Sequence, residues 1–446
     1  MYLPYNHMRY GYLCTATVLG MLACCATASG GPIVLNGAML PDLIGTSVSS
    51  VRVINGRGAA IPFQIDEKTN DGEYICPEGK RPNTYLGNGR FDPQDEIVFL
   101  WDDADSCGTG EKICDNVEED SAKAGAVPVT MAQGSVMRRV WVVADSFLPL
   151  STVSYCSYDP GREYLQTPYY YAQFAHNRFH FTRAGVMDFE SRDYVDLTKE
   201  LRVEMVFKIL WGLIPVRFTE ESIVCQVQRY KAGPVRLIRR GDFYINLGFG
   251  IKGSRAVVYQ MCYPDVVKVP VLVTVPVRFR SVCSDAYIEM TPVIRKEVAE
   301  RSFHFAVPKA GYSCDLSSGR AHVDTLIRIL PDKGYVISDG RQGYGWIARV
   351  GVDSSLLSGS GLIMRRPSKR DGMAECGFKL TVWDLPKGKY DVVNWVLFSR
   401  SPLDEGGRDL LSMLDPAAIT TTTGTFSNFL FCRQEKTGLS EKSDGF

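Results

Sequence analysis

Val271-Leu272-Val273-Thr274-Val275-Pro276-Val277-Arg278-Phe279-Arg280 decides the fold class of this 446-residue chain. Apolar residues stand at alternate positions, Val271, Val273, Val275, Val277 and Phe279, with Thr274, Arg278 and Arg280 between them. A period of two with one wet side describes a half-buried strand of an antiparallel sheet. Pro276 falls on the wet side and cannot donate to a ladder, so it points to an edge or a bulge.

Neighbouring segments read the same way. His322–Leu330 and Tyr335–Ser338 flank Pro331-Asp332-Lys333-Gly334, and Phe378–Trp383 and Tyr390–Phe398 flank Leu385-Pro386-Lys387-Gly388. Proline presets one turn dihedral and glycine accepts positive φ, so both are expected to be hairpin turns. Ile97–Trp101 is apolar throughout, as in a strand covered on both faces. Helix signals are sparse; Tyr287–Arg301 and Arg408–Leu414 are the candidates. The expected class is mainly β, an antiparallel β-sandwich or two packed β-sandwich domains with few short helices. The expected organisation is a leader over 1–28, an N-terminal β domain over 29–150, a larger β-sandwich over 151–432 and a polar tail over 433–446. The polar stretch Asp115–Ala126 reads as a long hairpin loop that lets Ile97–Trp101 pair with Arg139–Ala144.

Arg9, the apolar run Leu13–Cys25 and the small residues Ala26-Thr27-Ala28 form a secretory signal pattern, so the protein is expected outside the cytoplasm. Met21-Leu22-Ala23-Cys24 is a degraded lipoprotein signal, and a lipid anchor at Cys24 is not favoured. No later run is long and apolar enough for a membrane helix; Val206–Val216 is broken by Lys208, Gly212 and Pro215. Fifty basic residues balance fifty acidic ones, which disfavours nucleic-acid binding. Cleavage after Ala28 would leave ten cysteines, an even number that fits disulfides in an oxidising compartment, with Cys107–Cys114 the best local pair. No Cys-x-x-Cys occurs.

The acidic run Asp92, Asp95, Glu96, Asp102, Asp103 and Asp105 suggests paired carboxylates. A strand between Asp95 and Asp102 would hold them roughly 23 Å apart, at about 3.3 Å per residue, too far for one reaction. Asn88, Asp92 and Asp95, with Asp66 completing the shell, match the latter part of a calcium loop, but Thr84 and Leu86 stand where its first ligands belong. No other cofactor is expected. His176 and His180 are four apart, yet the segment alternates like a strand. No Gly-x-Ser-x-Gly occurs, and Gly248–Gly253 has the Gly-x-Gly-x-x-Gly spacing but is followed by a strand-like run. Two aromatic groups are candidate ligand surfaces: Tyr169, Tyr170 and Tyr171 beside His176 and His180, and Tyr344 with Trp346.

Ile61-Pro62-Phe63-Gln64-Ile65-Asp66, Asp95-Glu96-Ile97-Val98-Phe99, Tyr155 with Tyr158-Asp159-Pro160, and Gly233-Pro234-Val235-Arg236-Leu237-Ile238-Arg239-Arg240 stand out together. Over residues 33 to 250 they resemble uncharacterised exported bacterial β-rich proteins. The resemblance implies an envelope or secreted protein and supplies no activity. It gives Gln64, Asp66, Asp95 and Arg236 specific jobs, which can be structural. The resulting expectation is a non-catalytic binding protein whose partner is an envelope or extracellular polymer, such as a glycan, or another protein. A polysaccharide-acting hydrolase or lyase is the alternative, and a structural envelope component the second alternative. Two carboxylates in a cleft, or a Tyr/His/Arg cluster, would favour the enzyme; a flat aromatic strip would favour binding.

Overall fold

The computed structural model describes residues 31–107, 126–133, 135–209, 212–219, 222–246, 252–275, 278–281, 283–299, 304–307, 311–315, 325–328, 331–339, 342–365, 374–400 and 420–423. Nearly all regular structure is antiparallel strand. Val266–Val275 lies inside a ten-stranded sheet, between Lys252–Cys262 and Gly388–Phe398. Leu272 and Thr274 are exposed and Val275 is buried, as the period of two requires. The strand Val266–Val275 is central in its sheet, and Pro276 lies outside the described residues.

A second ten-stranded sheet, built around Tyr194–Ile209 and Cys283–Ile294, faces the first. Their inner faces share one core, in which Tyr170 stacks on Phe398 at 4.0 Å and Trp346 meets Phe378 edge-on at 5.6 Å. The first turn forms at Pro331–Gly334; the second falls just before its expected place, at Val382–Leu385, with the next strand starting at Gly388; neither makes a hairpin. Thr325–Ile327 pairs in the second sheet and Tyr335–Ser338 in the first; Ala374–Thr381 and Gly388–Phe398 are divided the same way. Each turn therefore carries the chain across the sandwich, whose sheets pack about 10 Å apart. The expected helix at Tyr287–Arg301 is mostly the strand Cys283–Ile294, with one helical turn at Lys296–Ala299. Arg408–Leu414 lies outside the described residues.

The N-terminal part is a smaller sandwich. Pro32–Asn36, Glu96–Leu100 and Phe63–Asp66 form one sheet; Val51–Ile54, Val136–Ala144 and Val127–Gln133 form most of the other. Glu96–Leu100 pairs with Pro32–Asn36 and Phe63–Asp66, not with Arg139–Ala144, which corrects the hairpin expectation. Its alternating side chains explain its unbroken apolarity. Ile97 and Phe99 fill the small sandwich, while Val98 and Leu100 pack on Val235, Ile238 and Met261 of the first large sheet. The two sandwiches thus stack as layers around this one strand. Two pairings cross the residue-150 boundary: Thr420–Thr423 returns to Val127–Gln133, and Glu78–Gly79 joins Ile223–Ala232.

Cys76, Cys156, Cys225, Cys262, Cys283 and Cys376 are free thiols. Their apolar surroundings, not pairing, account for them, so none of these six contributes to the several disulfides expected from the ten cysteines. Burial pushes the thiols of Cys76, Cys225 and Cys262 up to about 12, so they are poor nucleophiles. Cys114 and Cys24 lie outside the described residues, so the Cys107–Cys114 pair and the anchor do too.

Candidate functional site

The aromatic groups proposed as ligand surfaces are core. Tyr170, Tyr344 and Trp346 are at most 3% exposed, and Tyr171 is buried against Tyr164 and Tyr194. They sit on strands whose two faces are both covered, so adjacent residues do not alternate between core and water. Tyr169, in the turn before that strand, is the half-buried exception. His176 is exposed and bonds the Asn177 side chain, whereas His180 faces the space between the large sheets; the two do not share a helix. The calcium candidates have protein partners. Asp95 accepts the backbone N–H groups of Lys68 and Asp92 at 2.7 and 2.8 Å, and Asn88 donates to Asp92 at 2.8 Å. Asp66 belongs to a separate network. Among the described residues no group of three or more His, Cys, Asp or Glu is placed to hold a metal ion.

That network occupies the seam between the sandwiches. Arg236, 1% exposed, donates Nε to Asp66 at 2.8 Å, Nη1 to the Tyr263 hydroxyl at 2.6 Å and Nη2 to Glu96 at 2.5 Å. Lys231 adds a second cation to Asp66 at 2.9 Å, and Lys68 pairs with Glu96. The Gln64 amide donates to Asp66 and its carbonyl accepts the Arg236 N–H at 3.0 Å. Gly233 is required beside it, because a Cβ there would lie 2.0 Å from the Gln64 oxygen. Burial alone would raise the Asp66 and Glu96 carboxyls; Arg236 with the two lysines outweighs it and holds both below their ordinary values. Gln64, Asp66 and Arg236 thus form a closed, satisfied joint. It has little left to offer a substrate.

A second polar cluster lies at another point of the same seam, largely buried with Asp102 reaching the surface. Past Leu100 the chain makes a tight turn, Trp101–Asp103, anchored by the fully buried Trp101. Arg138 stiffens it, donating to the carbonyls of Trp101, Asp102 and Ala104 at 3.0–3.2 Å. Asp102 and Asp103 are thereby held toward three other segments. Arg400, just after Gly388–Phe398, pairs with Asp102 and donates Nε to Asp265 at 2.7 Å. Asp265 is fully buried in the loop between Lys252–Cys262 and Val266–Val275. The Tyr155 hydroxyl donates to Asp103 at 2.6 Å, and the Arg400 guanidinium lies 5.7 Å from the Tyr169 ring centre.

Two of the three carboxyl groups, Asp102 and Asp265, therefore pair with one arginine, Arg400, with Arg138 a more distant 3.7 Å from Asp102. Burial raises the Asp103 carboxyl; the Tyr155 hydrogen bond and Arg400 oppose it, Asp102 adds to it, and the result stays above the ordinary value. Burial likewise pushes the Tyr155 hydroxyl up, helped by Asp103. Asp103 Oδ2, Asp265 Oδ1 and Arg400 Nη2 are buried atoms without a hydrogen-bond partner among the described residues. A carboxyl raised by burial beside an ion-paired one, with the Tyr155 hydroxyl and the half-buried Tyr169 ring, is the composition of an acid–base site. Asp102 and Asp103 were visible as an acidic run, and Tyr169 as an aromatic. Tyr155 stood out only within a motif, and Asp265 and Arg400 carried no sequence signal.

No family model matches the chain. No curated protein matches it. Among solved structures it is similar to an alpha-mannosidase from Enterococcus faecalis V583, with TM-score 0.40 and 7% identity, over 84% of this chain and 41% of that one. It is also similar to the Slr1438 protein from Synechocystis sp. PCC 6803, with TM-score 0.31 and 10% identity, over 57% and 98% of the two chains. A third structure, described as a kojibiose phosphorylase from human microbiome, has TM-score 0.26 and 8% identity, over 64% and 35%. The chain spans about two fifths of the length of the mannosidase. The expectation of a non-catalytic binding protein is corrected. The aromatic strip behind that expectation is interior, with Tyr170, Tyr171, Tyr344 and Trp346 all buried.

Proposed function

We propose that this chain is an exported enzyme that hydrolyses a polysaccharide at the Asp102–Asp103–Asp265–Arg400 cluster. The observation that carries the reading is Asp103. Its carboxyl is raised above its ordinary value, its Oδ2 is unpartnered, and it adjoins the ion-paired Asp102.

Hydrolysis of a glycosidic bond needs one carboxyl that holds a proton and one that does not. Asp103 gives its proton to the leaving oxygen as the bond to the anomeric carbon breaks. Asp102 takes a proton from the water that adds to that carbon. Asp265 and Arg400 hold Asp102 from beneath, and the half-buried Tyr169 ring offers a flat face to a sugar. The test is to incubate purified protein with a panel of neutral and acidic polysaccharides and to follow new reducing ends. Release from at least one substrate, abolished by D102N and by D103N, is the expected result. No release from any polysaccharide, or release untouched by both substitutions, overturns the proposal. Products that carry a new carbon–carbon double bond, read by ultraviolet absorbance, would show elimination instead of hydrolysis and also overturn it.

A further inference from the structure

The large sandwich is not filled along its whole length. At one end Tyr170, Trp346, Phe378 and Phe398 close the space between the sheets. Toward the other end a cavity of about 530 Å³ opens between them. Residues from both sheets line it, among them Val203, Met205, Val271, Val273 and Ile288, and these inward-facing residues are only half-buried. None of the lining residues is Lys, Arg, Asp or Glu. Protein interiors pack with few voids larger than a water molecule, so an apolar hollow of this size at the centre of a sheet pair asks for an apolar occupant.

The far end of the cavity has a different character. Phe207, Phe279, Leu385 and Tyr390 line it there, with Phe207 5.2 Å from Phe279. Arg278 adjoins Phe279, and Lys387 and Lys389 stand between and beside Leu385 and Tyr390. All three cations are exposed, and none makes an ion pair among the described residues. The neighbouring charges Arg280 with Asp384, and Lys208 with Asp285, are already paired. A mostly apolar interior, with His180, Gln260 and Asn394 among its few polar lining residues, thus has three exposed cations close in sequence to residues that line one end.

We infer that the sandwich binds a single-chain anionic amphiphile, a long-chain fatty carboxylate, with its chain between the sheets and its carboxylate at Arg278, Lys387 and Lys389. The site is separate from the polar seam proposed for catalysis, and neither reading depends on the other. The ligand volume fits the range of small-molecule sites, roughly 300–1,000 Å³. Binding of the chain follows apolar area removed from water, so affinity should climb with chain length until the cavity is full.

The test uses the full purified chain and cis-parinarate, an 18-carbon carboxylate that fluoresces when shielded from water. The inference expects saturable fluorescence, competition by palmitate, and no competition by hexanoate. A256F and V273W, which fill the cavity, should each weaken binding at least tenfold. L272W, on the opposite face of the same strand, should leave it within twofold. Reversing Arg278, Lys387 and Lys389 to Glu should weaken parinarate several-fold and leave the neutral hexadecanol unaffected. Should the filling variants fail to fold, a rise in the melting temperature of the natural protein with palmitate, absent with hexanoate, reads the same site. No saturable signal and no such rise overturns the inference. Binding insensitive to folded A256F and V273W, or displacement by hexanoate as readily as by palmitate, overturns it equally.

Discussion

Replacing Arg236 by Met tests whether the buried joint holds the two sandwiches together. Methionine keeps most of the stem volume and removes the charge. It deletes the hydrogen bonds to Asp66, Glu96 and Tyr263 and leaves both carboxylates in the seam. Breaking a buried ion pair by removing one partner costs about 3–5 kcal/mol. Lys231 remains beside Asp66 and Lys68 beside Glu96, so the lower end, about 3 kcal/mol, is expected. With a urea slope of about 3 kcal/mol per molar, the midpoint should fall by about 1 M. The pH dependence fixes the cause. In the natural protein Asp66 and Glu96 lie below their ordinary values, so their stabilisation is present above the unfolded values of about 3.9 and 4.3. It is lost as pH falls through the lower folded values. Without Arg236 the upward push of burial is opposed only by the lysines, so the folded values rise. The variant then loses stability as pH climbs through the unfolded values toward the new folded ones. The gap between the proteins should be widest near pH 7 and narrow toward pH 4. A midpoint unchanged at pH 7, or a gap of constant size across this range, would refute the reasoning. The double variant R236M/D66N should recover part of the loss.

Y170A and W346A should each destabilise by about 3–5 kcal/mol in urea melts, since both rings are interior; losses under 1 kcal/mol would return them to the surface. Denatured, unreduced protein should titrate for at least six thiols, and fewer than six would contradict the free state of Cys76, Cys156, Cys225, Cys262, Cys283 and Cys376. Melting temperature should be the same in chelator and in millimolar calcium, because both Asp95 oxygens already accept backbone N–H groups; a rise of several degrees would restore a calcium loop there.

Local chemistry was legible in the sequence and partnership was not. The period of two in Val271–Val275 gave a strand, and the unbroken apolarity of Ile97–Leu100 gave one covered on both faces. Pro331–Gly334 gave a turn and Leu385–Gly388 placed one a few residues late, yet a tight turn looks alike whether it closes a hairpin or crosses between sheets. Tyr287–Arg301 was misread because Tyr287, Ile288, Met290 and Val293 suit either period in a strand packed on both sides. The candidate site shows the same division. Asp102 and Asp103 are adjacent and conspicuous, but Asp265 and Arg400 come from 135 positions apart and meet only through the sandwich. The aromatic run at Tyr169–Tyr171 was conspicuous too, and there tertiary burial decided against function for two of its three members.

The most direct measurement of the central claim is the pH–rate profile of polysaccharide hydrolysis by the natural protein and by D103N, with folding of both checked by their melts. An acid with a raised value must hold its proton to act, so the natural rate should fall as pH rises through the Asp103 titration. D103N should be folded, slower by about 10²–10⁴-fold, and without that alkaline limb. A folded D103N that keeps both the natural rate and the natural profile would contradict the assignment of Asp103 as the acid.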